Sequence, residues 1–186
     1  MFSSRRILGV RVDATNYEHA TRQILDWARQ GESRYVCCAA VNNIIEARDS
    51  SDYAEVMEQA DLVTADGMPL VWLLRALGLK GATRVYGPDL TPLVIGAAMR
   101  ERVPVAFYGG TREVLEKLLM RFPGLEAVYC EAPPFRPATP DEDARTVQGI
   151  RESGARVVFV GLGSPKQDRW MREHRDRIPA VMLGFG

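Results

Sequence analysis

The residues best suited to chemistry lie in Thr64-Ala65-Asp66-Gly67-Met68-Pro69, where a short β-rich run ends in an acid, a glycine permits a sharp turn and a proline can open a helix. Ligands of open α/β sheets gather at the carboxyl ends of the strands. A partly desolvated carboxylate placed there can take a proton from a substrate hydroxyl. The same spacing also suits a plain turn or N-cap aspartate.

Two glycine turns offer a complementary surface. Gly161-Leu162-Gly163-Ser164-Pro165-Lys166-Gln167-Asp168 follows the apolar run Val157–Val160 and precedes a helical stretch with Trp170 and Met171. Glycines allow close approach to the backbone, and free N–H groups at a helix start, beside Ser164 and Lys166, suit a diphosphate. A solvated βα turn is the bland alternative. Tyr108-Gly109-Gly110-Thr111 repeats the strand-glycine-cap order, and two such turns on one sheet would line a nucleotide site. Arg84-Val85-Tyr86-Gly87-Pro88-Asp89 adds a cation and an acid that suit either the site mouth or a surface ion pair.

These residues must be positioned by elements that alternate between β-rich and helical patterns, the mark of an α/β, Rossmann-like fold with a mainly parallel sheet and helices on both faces. Strands are expected at Ile7–Val12, Tyr35–Ala39, Leu62–Thr64, Val85–Tyr86, Val103–Tyr108, Ala127–Tyr129, Val157–Val160 and Ala180–Leu183. Thr15 with Glu18, and Thr139 with Glu142, read as capping boxes, and Thr91-Pro92 as a helix start. Helical spacing buries Tyr17, Ala20, Ile24 and Trp27 in the first helix, and Val114, Leu115, Leu118 and Leu119 in a later one.

Four prolines within Ala132–Pro140 make a stiff loop carrying Phe135. The chain is expected to be one catalytic domain over 1–186, with two lobes, 1–101 and 102–186, meeting near Arg100–Pro104 around one cleft. It finishes on an apolar run, Leu183–Gly186, with no helix to cover it, which suggests a piece of a longer protein.

Composition narrows the function. A chain of 186 residues, 46% hydrophobic and 26% charged, folds rather than staying disordered. Twenty-four basic against twenty-four acidic residues exclude the broad positive footprint of a general nucleic-acid binder. No uncharged run approaches the ~18 residues of a membrane span, and no secretory leader pattern opens the chain, so a cytoplasmic location is expected. Two histidines and three cysteines without ligand spacing argue against a metal centre. Cys37 and Cys38 should point to opposite faces of one strand, and all three cysteines are expected to be small buried hydrophobes.

In combination, the TADG-x-P turn at Thr64–Pro69, RVYGPDL at Arg84–Leu90, YGG at Tyr108–Gly110 and VGLGSPKQD at Val160–Asp168 resemble the WecG/TagA/CpsF glycosyltransferases of family 26, in order over nearly the whole chain. The resemblance implies inverting, metal-independent transfer of a sugar from a UDP-sugar to a polyprenyl-diphosphate-linked saccharide, in surface polysaccharide synthesis. It implies no other cofactor. The protein would be peripheral to the inner face of the cell membrane, with a homo-oligomer as a further option. The sugar would be of N-acetylmannosamine type, a uronic acid or a hexose.

Carried over by position, Asp66 is the family's general base. Gly109, Gly110, Phe135, Gly161, Gly163, Ser164, Lys166 and Gln167 form the donor site, with Phe135 stacking on uracil. Cys38, Asn42, Arg84 and Asp89 fall on the acceptor side. Many members carry Thr-x-Asn after the second strand, where this chain has Cys38 and Ala40, so a polar contact there is either absent or supplied by Asn42. Members also continue into a further aspartate-bearing turn and a basic C-terminal segment implicated in membrane attachment. The competing readings are a non-catalytic nucleotide-binding protein and an NAD-dependent oxidoreductase. Neither glycine turn supplies the GxGxxG that the oxidoreductase needs.

Overall fold

The computed structural model describes residues 2–185. The chain begins with an antiparallel hairpin, β1 (Ser3–Ile7) and β2 (Val10–Ala14), turning at Leu8 and Gly9 with φ of 48° and 89°. Positive φ at both central residues is what a two-residue hairpin demands. The single strand expected over Ile7–Val12 is therefore two strands, because the chain reverses inside it.

There follow α1 (Tyr17–Gln30), β3 (Arg34–Ala39), α2 (Val41–Asp49), α3 (Ser51–Gln59), β4 (Leu62–Ala65), α4 (Met68–Ala76), α5 (Gly87–Glu101) and β5 (Val105–Gly109). The remainder is α6 (Arg112–Arg121), β6 (Ala127–Glu131), α7 (Pro140–Ser153), β7 (Val157–Gly161), α8 (Lys166–His174) and β8 (Val181–Gly184). The strands form one sheet in the order β1-β2-β4-β3-β8-β7-β5-β6, parallel everywhere except the first pair. The expected α/β, Rossmann-like architecture is borne out.

Period-two alternation divides the core into two layers. Tyr35, Cys37, Ala39, Val63, Val158 and Met182 face the layer covered by α2, α3, α4, α7 and α8. Val36, Leu62, Phe107, Val157, Phe159 and Leu183 face the layer under α1, α5 and α6. Cys37 and Cys38 fall on opposite faces, as expected. Cys130 is exposed on β6, because that strand lies at the sheet edge.

Local signals explain most helix boundaries. Thr139 and Glu142 form the expected capping box at α7, Thr139 Oγ1 accepting from Glu142 N–H at 3.3 Å and Glu142 Oε2 from Thr139 N–H at 2.8 Å. At α1 the cap is Asn16, whose Oδ1 accepts from His19 N–H at 2.8 Å, instead of Thr15. Ala20 and Ile24 are buried as expected, while Tyr17 and Trp27 only flank the core.

Val85–Tyr86 is extended but is not a strand. Val85 N–H donates to Ala65 O at 2.9 Å and Tyr86 then caps α5, which has Pro88 in its first turn and Pro92 in its interior. The helix start expected at Thr91-Pro92 is thus displaced by a turn. On α6 only Leu115 is buried; Val114 is 51% exposed and Leu119 is also exposed, because the outer half of that stripe overhangs the edge of the sheet.

Candidate active site

Parallel pairing sets the carboxyl ends of β4, β3, β8, β7 and β5 in a row along one rim. Asp66 follows β4 directly and is anchored there by its own N–H, which donates to Ala39 O at 2.9 Å. Its carboxylate is largely but not wholly buried, with 15% of the side chain exposed. Oδ2 accepts from Gly87 N–H at 3.1 Å, and the Arg84 guanidinium stands 4.0 Å from Oδ1 while donating to Asp66 O at 2.5 Å.

Burial raises the Asp66 pKa above the usual carboxylate value; the Gly87 N–H and Arg84 work against that, and Asp89 adds to it. Arg84 is itself held over the Tyr86 ring, 4.3 Å from its centroid. Tyr17 donates its hydroxyl to Asp89 Oδ2 at 3.1 Å and accepts from Tyr86 N–H at 3.2 Å. Arg84 and Asp89 therefore belong to the immediate surroundings of Asp66.

Cys38 and Asn42 are placed differently. Cys38 lies beneath the first turn of α5, where a Cβ on Gly87 would come within 3.4 Å of its sulfur. Burial pushes its thiol up to about 12. Asn42 is exposed in the first turn of α2. Its neighbour Asn43 turns inward, donating from Nδ2 to Tyr53 Oη and to Ser164 Oγ, each at 2.7 Å.

The two glycine turns meet. Gly110 N–H donates to Gly161 O at 3.0 Å, and Gly109 sits at φ 126° so close to that carbonyl that a Cβ would lie 2.4 Å from it. Gly163, at φ 77°, has open space where a Cβ would stand, and its carbonyl accepts from Gln167 N–H at 2.9 Å. Lys166 is exposed at the start of α8. Gln167 is buried against the end of β8, its Nε2 3.0 Å from the Cβ position of Gly184.

The same Cβ position on Gly87, across the sheet end, lies 3.7 Å from Gly184 O. One glycine at the end of β8 thus separates the α5 turn that holds Asp66 from the α8 residue of the donor loop. Asp66 and Gly161 are three strand intervals apart, about 14 Å at usual strand spacing.

Ser164 is tied into a polar cluster that spacing in the sequence does not reveal. Asp168 Oδ2 accepts from Ser164 Oγ at 2.7 Å and from Tyr53 Oη at 2.6 Å, and the Cys37 thiol donates to the same carboxylate. Burial raises the Asp168 pKa, and these donors with Arg169 oppose the rise. The cluster locks α2 and α3 to the β7–α8 turn. Tyr53 reads in sequence as one more apolar helix position, so no local signal marks it.

Phe135 is 100% exposed on the proline loop. Beside the loop is a cleft of about 280 Å³ lined by Tyr108, Tyr129, Glu131, Pro134, Arg145 and Thr146. Its Tyr108 wall is backed by Trp170, ring centroids 4.7 Å apart, and Trp170 by His174 at 4.1 Å. His174 in turn contacts Asp143 of α7 at 2.7 Å. Among the described residues no three His, Cys, Asp or Glu side chains group as metal ligands, and no helix is long and apolar enough to cross a membrane.

The model of the "Glycosyl transferase WecG/TagA/CpsF family" matches residues 5–186. A Bacillus spizizenii protein named N-acetylglucosaminyldiphosphoundecaprenol N-acetyl-beta-D-mannosaminyltransferase is 26% identical over 162 residues, 84% of this chain. The chain spans 61% of the length of that relative.

Proposed function

The chain belongs to the WecG/TagA/CpsF glycosyl transferase family, and on that premise we propose that it carries the catalytic centre for moving a sugar from a UDP-sugar to a lipid-diphosphate-linked saccharide. The named activity of the Bacillus relative supports the acceptor class. An N-acetylmannosamine-type sugar is the donor group it favours. The observation that carries the proposal is a carboxylate held at the rim, largely but not wholly buried, between the Gly87 N–H and Arg84.

In this reading Asp66 takes the proton of the acceptor hydroxyl as its oxygen attacks the anomeric carbon from the side opposite the nucleotide, inverting that centre. UDP departs with added negative charge. The N–H groups at the start of α8, together with Lys166, stabilise that charge most in the transition state and serve in place of a metal. The uracil lies toward Phe135 and the Tyr108 cleft, and Arg84 meets the acceptor. The protein works at the cytoplasmic face of the membrane.

Release of UDP from a UDP-sugar with a polyprenyl-diphosphate saccharide, measured on the purified protein, tests this. Asp66→Asn is expected to lower kcat by about 10²–10⁴-fold, the range of general-base catalysis. An Asp66→Asn protein of undiminished rate overturns the assignment.

A further inference from the structure

Helix α4 is apolar around nearly its whole circumference, yet the fold covers only one side of it. Leu70, Val71 and Leu74 are buried. Met68, Trp72, Leu73 and, just beyond the helix, Leu77 stand in solvent, Trp72 at 61% and Leu73 at 45% exposure. A helix without a polar face belongs in a protein interior or against lipid. Large apolar side chains clustered in the open mark a contact surface.

Charge selects what that surface meets. From Gly67 to Pro88 the sequence holds no Asp or Glu but does hold Arg75, Lys80 and Arg84, in a chain whose acids and bases balance only over its full length. Arg75 and Lys80 are exposed. Arg5 of β1 donates to Leu77 O at 3.0 Å, adding a further exposed cation at the end of the helix. An apolar face with an aromatic ring and a cationic fringe matches the acyl boundary and headgroups of an anionic bilayer. A second copy of the chain matches it poorly, since a two-fold contact through this face would set the cations against one another.

We propose that the outer face of α4 docks on an anionic membrane surface. Asp66 lies two residues before the helix begins, so docking brings the carboxylate to the level of the headgroups. Its purpose rests on the lipid-linked acceptor proposed above: the acceptor sugar is presented to the base without leaving the bilayer.

Flotation with vesicles of phosphatidylglycerol and phosphatidylcholine, against phosphatidylcholine alone, tests the proposal. Wild type is expected to float with the anionic vesicles. Trp72→Ser/Leu73→Ser and Arg75→Glu/Lys80→Glu should each weaken that partition about tenfold or more, with circular dichroism confirming that each variant is folded at the flotation temperature, since Arg75→Glu also removes the Nε–H donated to Ala82 O at 2.9 Å. Wild type that does not float, or variants that float equally well, overturn the proposal. So does a dimer lost in Trp72→Ser/Leu73→Ser without any vesicle binding, which would assign the face to a second copy. Flotation needs no turnover, so a protein that binds vesicles through α4 but releases no UDP in the presence of a lipid-linked acceptor fails the function proposed above and keeps the docking surface.

Discussion

The Asp66 carboxylate accepts the Gly87 N–H at 3.1 Å while the Arg84 guanidinium stands 4.0 Å away and the like charge of Asp89 opposes its ionisation. Burial sets the direction, so the group ionises above the ordinary carboxylate value of about 3.9. A base works only when ionised, so kcat/KM should fall as pH drops through this raised value. Arg84→Met removes the charge that favours ionisation and should move the acid limb to higher pH. Asp89→Asn removes a like charge and should move it lower. A pH–rate series on the three proteins checks the opposed shifts; limbs moving together would separate the titration from Asp66.

Gly109 and Gly163 separate a structural glycine from one that keeps space open. A Cβ at Gly109 would meet the Gly161 carbonyl at 2.4 Å, and φ is 126°, so Gly109→Ala must part β5 from β7. A loss of about 3 kcal/mol or more is expected by urea denaturation. Gly163→Ala meets nothing within 4 Å and pays only for its positive φ, about 1 kcal/mol. If the donor diphosphate approaches this backbone, Gly163→Ala should still weaken UDP binding clearly, as read by calorimetry.

Tyr53→Phe removes one hydroxyl that donates to Asp168 and accepts from Asn43. Asp168 then keeps its burial with one donor fewer, so a cost of about 1–3 kcal/mol is expected. The β7–α8 turn should loosen with it, raising KM for the UDP-sugar more than it lowers kcat. A stability loss with unchanged KM would leave the cluster a purely structural role.

How much of this was legible in the sequence follows from the range of each signal. Asp66 and the two glycine turns are marked within a few residues, because strand ends, sharp turns and helix starts impose residue types locally. The hairpin at Leu8-Gly9 hid inside an apolar run, since Leu is an uncommon residue at positive φ. The cap at Asn16 competed with an equally plausible Thr15. Tyr53 and Asp168 lie 115 positions apart, and only the packing of α3 on α8 brings them into contact. Nothing local foretells that pair.

Phe135 supplies the sharpest test of where the nucleotide lies. Its side chain is fully exposed, so Phe135→Ala removes no packing and should leave the melting temperature unchanged. If the ring stacks on uracil, the same change forfeits about 1–3 kcal/mol of base stacking, which is roughly a five- to 150-fold rise in Kd for UDP. Phe135→Trp keeps a stacking face and should retain affinity. Calorimetric titration of UDP into the three proteins distinguishes the outcomes. Equal affinities would place the base away from the proline loop, against the Tyr108 wall of the cleft alone.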